Sequence, residues 1–304
     1  MTKEQMIKNL KVPEGKIDVV LDTDAYNEID DQFAIAYMLA YGEKLNVQAI
    51  YAAPFFNDNS ENPEDGMEKS YDEILKLLDL CARKVDVFKG SRSYLTDEKT
   101  PSDSPAALDL AQRAKKYSPE KPLYVVAIGA ITNVASALLL NPEISENIVV
   151  VWLGGHARHY CDTYEFNMRQ DIAAARVVMR SGAPFVQLPC MGVVSQFSLS
   201  KAELEQWLIG KNRIADYLAK NTIAAAEEYA KGTPWTRIIW DVTAVAWLVN
   251  DDDRFMLSKV VNILLPEYDH TYSKKEENIP MRYVYYIDRD ALITDLIQKL
   301  QKHF

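Results

Sequence analysis

Short runs rich in Val, Ile and Leu alternate along the chain with longer stretches whose apolar residues recur every three or four positions. The first pattern is that of strands buried on both faces, the second that of helices with one apolar side. IDVVLD (Ile17–Asp22) predicts a strand, and after an acidic loop DQFAIAYMLA (Asp31–Ala40) predicts a helix. Val47–Ala53 reads as a second strand, leading through a polar loop to a helix that begins near Met67. Leu123–Ala130 and Ile148–Gly155 follow as strands, with a helix over Thr132–Leu140 that Thr132 is placed to cap and another over Asp171–Gly182. Later strands are expected at Pro184–Pro189, Val260–Pro266 and Met281–Asp288, before a C-terminal helix.

This alternation predicts an α/β fold in which a mostly parallel, mixed central sheet is flanked by helices around a Rossmann-like core. Residues 54–66, 91–105 and 266–281 are rich in Pro, Asp, Ser or Lys, and none separates two complete sets of strands. They read as surface or lid loops, so residues 1–304 are expected to form a single domain.

Composition narrows the function. Of 304 residues, 44 are acidic and 34 basic, a formal charge of −10, which disfavours a nucleic-acid partner because phosphate binding needs a basic surface. A hydrophobic content of 48% suffices for a large core. Cys81, Cys161 and Cys190 are odd in number and far apart, which fits free thiols in a reducing compartment. The N-terminal residues carry no signal-peptide pattern and no apolar run approaches the roughly 18 residues a membrane helix needs. A cytoplasmic protein without a membrane partner is the expectation.

Chemistry concentrates in three places. DTDAYNEIDD (Asp22–Asp31) sets Asp22, Asp24, Asp30, Asp31 and Glu28 between a strand end and a helix start. Such like charge is costly unless a cation or protonation offsets it, and an oxygen-rich cluster suits Ca²⁺, with Asp24 and Asp31 converging from either side of the loop. The plainer alternative is that Asp30 and Asp31 stabilise the helix N-terminus through its dipole. In YEFNMRQD (Tyr164–Asp171), Glu165 and Asn167 share one face if the segment is extended, with Phe166 pointing inward. A carboxylate and an amide facing one cavity suit sugar hydroxyls, or else they bond neighbouring loop backbone. In IIWDVTAVAWLVN, Asp241 is the only charge in an apolar helical stretch, relieved by a metal or by an N-cap role, and Trp240 by itself reads as core.

Taken together these motifs resemble the inosine-uridine preferring nucleoside hydrolase family. The D-x-D strand end and following Asp pair stand here as Asp22, Asp24, Asp30 and Asp31, G-x-L-T-N as GAITN with Thr132, E-F-N as Glu165–Asn167, then Asp171 to Ala174, and a late Asp241. The resemblance implies a Ca²⁺-dependent ribonucleoside N-ribohydrolase, a homodimer or homotetramer serving purine salvage. It implies that Asp24, Asp31, Asp241 and the Thr132 carbonyl bind the ion, and that Asp24 takes a proton from the attacking water. Asp22 and Asp30 would order the ribose hydroxyls and the carboxylates, and Glu165 and Asn167 would hold the sugar.

Departures from the family pattern bear on the substrate. Trp240 stands where many members have His, which points to activation of the leaving base by stacking, with Phe55 or Phe56 from the loop above. The ribose-binding Asn after the second strand is missing, and Asn57 is a displaced substitute. His156, His159 and His270 are the candidate proton donors, each in a polar loop where a solvated His is the plainer reading. Two other functions share the D-x-D strand or the scaffold: a haloacid-dehalogenase-like phosphatase, disfavoured by Tyr26 where Thr or Val is expected, and a catalytically silent nucleoside- or sugar-binding protein.

Overall fold

The apolar runs become strands because helices cover both of their faces. The computed structural model describes all 304 residues, and in it every residue of Leu123–Ala127 and Ile148–Leu153 is buried. Ten strands form in chain order: β1 (Ile17–Thr23), β2 (Leu45–Ala52), β3 (Val87–Lys89), β4 (Leu123–Ala127), β5 (Ile148–Leu153), β6 (Phe185–Leu188), β7 (Ser198–Ser200), β8 (Thr236–Ile238), β9 (Met256–Asn262) and β10 (Pro280–Ile287). Eight of them make one sheet in the order β3-β2-β1-β4-β5-β6-β10-β9, and β7 and β8 pair separately as a ribbon. The large sheet is parallel except for the edge strand β9, which runs antiparallel to β10. The α/β architecture with a mixed, mostly parallel sheet is therefore as the sequence predicts.

Successive side chains of a strand face opposite sides, so the core divides into two layers. Val19 and Leu21 of β1 and Tyr124 and Val126 of β4 pack in one, together with Phe33, Ile35 and Trp247. Val20, Leu123, Val125 and Trp152 pack in the other. All residues of the helix Asp30–Ala40 are buried, between the sheet and the helices Val242–Trp247 and Arg289–Lys302. A helix enclosed on all sides needs no polar face, which explains its nearly unbroken apolar run.

From β1 the chain builds outward to β2 and β3, then returns to place β4 on the other side of β1. That reversal opens a crevice at the carboxyl ends of β1 and β4, where ligands of such sheets collect. Asn133 fastens its floor. Its amide nitrogen donates to Asp22 Oδ1 at 2.8 Å and to the Ala52 carbonyl at 3.3 Å, while its oxygen accepts from Ser91 N at 2.8 Å and Ser91 Oγ at 3.0 Å. One buried side chain thereby joins the ends of three strand connections.

Several boundaries differ from the sequence reading. Thr132 starts the helix Thr132–Leu140 but does not cap it: its hydroxyl donates to Asp171 Oδ2 at 2.7 Å, and Asp171 caps the helix Ile172–Arg180. The last edge strand is Met256–Asn262 rather than Val260–Pro266; Ile263 and Leu265 beyond it are buried in the core and bond the backbone of residues 273–279. Residues 54–66 are not wholly loop, since Asn62 caps a helix from Pro63 to Leu80. Segment 164–171 is not extended: Glu165 caps a short helix, Phe166–Gln170.

Replacing Asn133 with Ala leaves Asp22, Ala52 and Ser91 without these partners in a buried setting, and should cost about 3 kcal/mol. Urea unfolding should show a lower midpoint with an unchanged slope. A loss within experimental error would show that the Asn133 network does not hold the strand ends.

Candidate active site

Five aspartates meet at the crevice, all essentially buried: Asp22 and Asp24 at 0%, Asp31 at 1%, and Asp30 and Asp241 at 3% exposure. Asp22 and Asp24 come from the end of β1, Asp30 and Asp31 from the first turn of the helix Asp30–Ala40, and Asp241 from the start of the helix Val242–Trp247. Carboxylate oxygens of Asp30, Asp31 and Asp241 lie within 4.8 Å of one another. At an effective dielectric of about 20, charges that close repel by on the order of 3 kcal/mol per pair.

The protein supplies little to offset this. None of the five aspartates takes part in an ion pair; Arg237, the cation that influences Asp30, is bound to Glu28 at 2.7 Å. Burial is the first cause and neighbouring carboxylates contribute, so all five carboxyls are held above the ordinary aspartate range, with Asp22 and Asp31 pushed up to about 7. Asp31 accepts a hydrogen bond from the Thr23 hydroxyl and Asp22 one from Asn133. Both oxygens of Asp24 and Oδ2 of Asp22 are buried without any partner.

A divalent cation fits this donor set. Neither Asp241 nor the pair Asp30 and Asp31 caps its helix through the side chain, so these carboxylates are not committed to the peptide groups beside them. Gly129 closes in on Asp24: a Cβ there would lie 2.9 Å from Asp24 Oδ1 and 3.2 Å from the Ala53 Cβ. Orphaned oxygens on a buried carboxylate, three more converging acids and a wall that must be glycine are what an oxygen-coordinated metal requires.

Above this floor opens a cleft of about 230 Å³, lined among others by Asp30, Asp241, Asn167, Trp240, His156 and Tyr164. Trp240 is half-buried and faces the cleft, so it is not simply core. Glu165 also reaches the cleft, but its oxygens accept from Gly155 N, Asn167 N and Met168 N at 2.8–2.9 Å. Asn167 donates to the Ile128 and Leu153 carbonyls at 3.1 and 3.0 Å. Both residues thus line the cleft, Glu165 bonding the backbone beside it and Asn167 the carbonyls at the ends of β4 and β5.

Other expectations need correction. Asn57 does not line the cleft; its amide donates to Asn27 Oδ1 at 2.6 Å, and Asn27, absent from the sequence candidates, is the cleft residue. Phe55 is fully buried with its backbone carbonyl against Gly66, so only the exposed Phe56 is free at the rim. Phe166 lines the cleft rather than pointing away from it. Of the histidines only His156 lines it, half-buried, with burial lowering its pKa and Nδ1 accepting from Met191 N at 3.4 Å. Asn27, Tyr164 and Phe166 left a signal, since each is adjacent or near in sequence to an acidic candidate, but no spacing rule distinguishes them from ordinary loop residues.

A buried acidic cluster under a polar cleft, at the switch point of a parallel sheet, defines a metal-dependent hydrolase site. The chain belongs to the inosine-uridine preferring nucleoside hydrolase family, whose model matches residues 19–293, and it is a hydrolase acting on N-glycosyl bonds. It is 28% identical over 264 residues to a non-specific ribonucleoside hydrolase, RihC, of Salmonella enteritidis, a match covering 78% of this chain and 80% of that protein. The fold is similar to that of a purine-preferring ribonucleoside hydrolase from Gardnerella vaginalis, with a TM-score of 0.73 at 22% identity, covering 94% of this chain and 98% of the other. A plant nucleoside hydrolase, PpNRh1, superposes with a TM-score of 0.74 at 18% identity over 95% of this chain and all of its own. No helix is long and apolar enough to cross a membrane.

The raised carboxyls carry a sign. In metal-free protein the folded chain holds more protons than the unfolded one from about pH 4, the unfolded value, up to about 7 for Asp22 and Asp31. Unfolding free energy therefore falls as pH rises through that window. Chelator-treated protein should melt lower at pH 7 than at pH 5, and added Ca²⁺ should raise the melting temperature more at pH 7, where it competes with fewer protons. Melting that ignores Ca²⁺ at both pH values would overturn the metal-site assignment.

Proposed function

We propose that the protein is a Ca²⁺-dependent ribonucleoside N-ribohydrolase that favours purine nucleosides. The observation that carries this reading is Asp24, a wholly buried carboxylate with neither oxygen hydrogen-bonded, beside the charges of Asp22, Asp30 and Asp31. Asp24, Asp31, Asp241 and the Thr132 carbonyl would hold the ion; when bound it neutralises the carboxylates and raises the acidity of water.

The chain's own residues then divide the work. Asp24 takes the proton of the attacking water. Asp30 and Asp241, which face the cleft, order the ribose hydroxyls, and Asp22, fixed from behind by Asn133, supports Asp24. Positive charge grows on the ribose as the C1′–N bond breaks, and an anionic floor stabilises it. Glu165 and Asn167 shape the sugar end through the backbone they bind. Trp240 stacks on the base, which eases protonation of a purine ring nitrogen.

Three free cysteines are consistent with a cytoplasmic location. Leu257 and its register partner Tyr286 are exposed on the paired strands β9 and β10, and this edge of the sheet would suit a homodimer or homotetramer contact.

Incubation with a nucleoside panel should release free ribose, and Asp24→Ala should lower kcat by at least about a thousandfold while circular dichroism stays native. Wild-type-like turnover in that variant would refute the role of Asp24; tight nucleoside binding with no product in the wild type would favour the silent binding protein. Trp240→Ala should depress inosine turnover by about a hundredfold yet spare a nitrophenyl riboside, whose leaving group needs no protonation. Equal losses on both substrates would reject stacking.

A further inference from the structure

Beside the cleft lies a second, shallower basin walled by Phe56, Tyr94, Tyr164, Arg169, Gln170 and His270. Tyr164 belongs to both, so the two spaces adjoin. The basin gathers hydrogen-bond donors that have no acceptor. The Arg169 guanidinium forms no ion pair or hydrogen bond and lies over the rings of Tyr164 and Phe166, 4.8 and 5.2 Å from their centroids. Gln170 Oε1 is fixed by Phe56 N at 2.9 Å and by the Tyr94 hydroxyl, which assigns the other atom as the amide nitrogen, buried and unpartnered. His270 Nδ1 is likewise buried and unpartnered.

These donors are held in place. His270 adopts a left-handed backbone, φ +62°, and its carbonyl accepts from Thr163 N at 2.7 Å, which fastens the loop to the segment before Glu165. Its ring meets Tyr164 edge-on, with centroids 4.7 Å apart. The two acids whose charge reaches His270 bond other groups: Asp162 accepts from Tyr164 N at 2.9 Å, and Asp269 from the Thr271 hydroxyl at 2.7 Å. A cation, an amide and an imidazole without acceptors, at the rim of a strongly anionic site, call for a ligand that brings acceptor oxygens and negative charge.

Position says which part of the substrate carries that charge. Arg169 and Gln170 follow Asn167 on the short helix, Tyr164 precedes Glu165, and the Tyr94 hydroxyl bonds Gln170. The basin therefore opens from the sugar end, whereas Trp240, Met191 and His156 contribute nothing to it. With the 2′- and 3′-hydroxyls turned to the acidic floor, the 5′ position is the one left to enter.

We propose that the basin receives the phosphate of a 5′-phosphorylated ribonucleoside, so that this enzyme hydrolyses nucleoside 5′-monophosphates at the N-glycosyl bond. Water adds across the C1′–N bond: its hydroxyl goes to C1′, its proton to the base, and the phosphate stays on C5′, giving ribose 5-phosphate and free base. The inference rests on the cleft being the nucleoside site.

The test compares kcat/KM for inosine 5′-monophosphate and inosine in the Ca²⁺-loaded wild type, Arg169→Gln and His270→Asn, the last chosen because Asn tolerates the left-handed backbone. The wild type should prefer the monophosphate by about tenfold or more, Arg169→Gln should cut the monophosphate-to-nucleoside ratio at least about tenfold, and His270→Asn should cut it less. Thermal melting verifies that both variants are folded. Hydrolysis of inosine without preference for the monophosphate, or a ratio unmoved by Arg169→Gln, would overturn this inference alone. Hydrolysis of neither substrate would overturn it together with the proposed function.

Discussion

Burial of five carboxyl groups with almost no compensating side chain is the constraint around which the molecule is built. Asp22, Asp24, Asp30, Asp31 and Asp241 are at most 3% exposed, and none has an ion-pair partner. Two things relieve such a cluster, protonation or a cation. Protonation alone leaves the carboxyl groups as hydrogen-bond donors in need of acceptors, and no group of the protein hydrogen-bonds either oxygen of Asp24. The cation therefore accounts for more of the geometry: the glycine wall at residue 129 leaves Asp24 its space, and the helix starts at Asp30 and Asp241 leave those side chains uncapped.

Fixing these groups without solvating them falls to neutral amides and hydroxyls. Asn133 ties Asp22 to the connections after β2 and β3, Thr23 holds Asp31, and Thr132 is drawn off toward Asp171. The same division separates chemical from structural acids. Glu165 and Asp171 are buried too, but each accepts from backbone N–H groups as a helix cap, and these bonds oppose the rise in pKa that burial causes. A buried acid saturated by peptide N–H groups organises a loop; one left bare can hold a metal or move a proton.

That difference also marks what the sequence could convey. The strands of the central sheet and the helix Thr132–Leu140 are legible because burial on both faces forces continuous apolar runs, and the aspartates are legible because acids are rare directly after such runs. The edge strand was displaced because β9 is half-exposed and its apolar residues do not stand apart from those of the loop after it. Helices such as Arg213–Ala230 carry no comparable signal, their apolar residues being diluted among charges on a partly exposed surface. Within the site, residue type was readable and partnership was not. Nothing local to Asn57 says that it bonds Asn27 30 residues away, and nothing in E-F-N says that Glu165 saturates its oxygens on Gly155, Asn167 and Met168.

Charge in the finished site runs from anionic at the floor to donor-rich at the rim, and the topology explains how both come from short segments. In a parallel sheet every strand ends on the same edge, so the connections after β1, β4 and β5 meet although they are far apart in sequence. The first supplies carboxylates to the floor, the second the small residue that lets them gather, and the third a helix of five residues whose sides differ: Phe166 and Asn167 face the cleft, and Arg169 and Gln170 face outward to the basin. Because this helix is anchored at its first residue by Glu165 and joined at its last to Phe56 and Tyr94 through Gln170, the spacing between floor and rim is set by bonded groups at both ends. A substrate spanning the two regions would be measured by that fixed distance, and under the proposed function the short helix, rather than the aspartates it overlooks, would discriminate among ribosyl compounds.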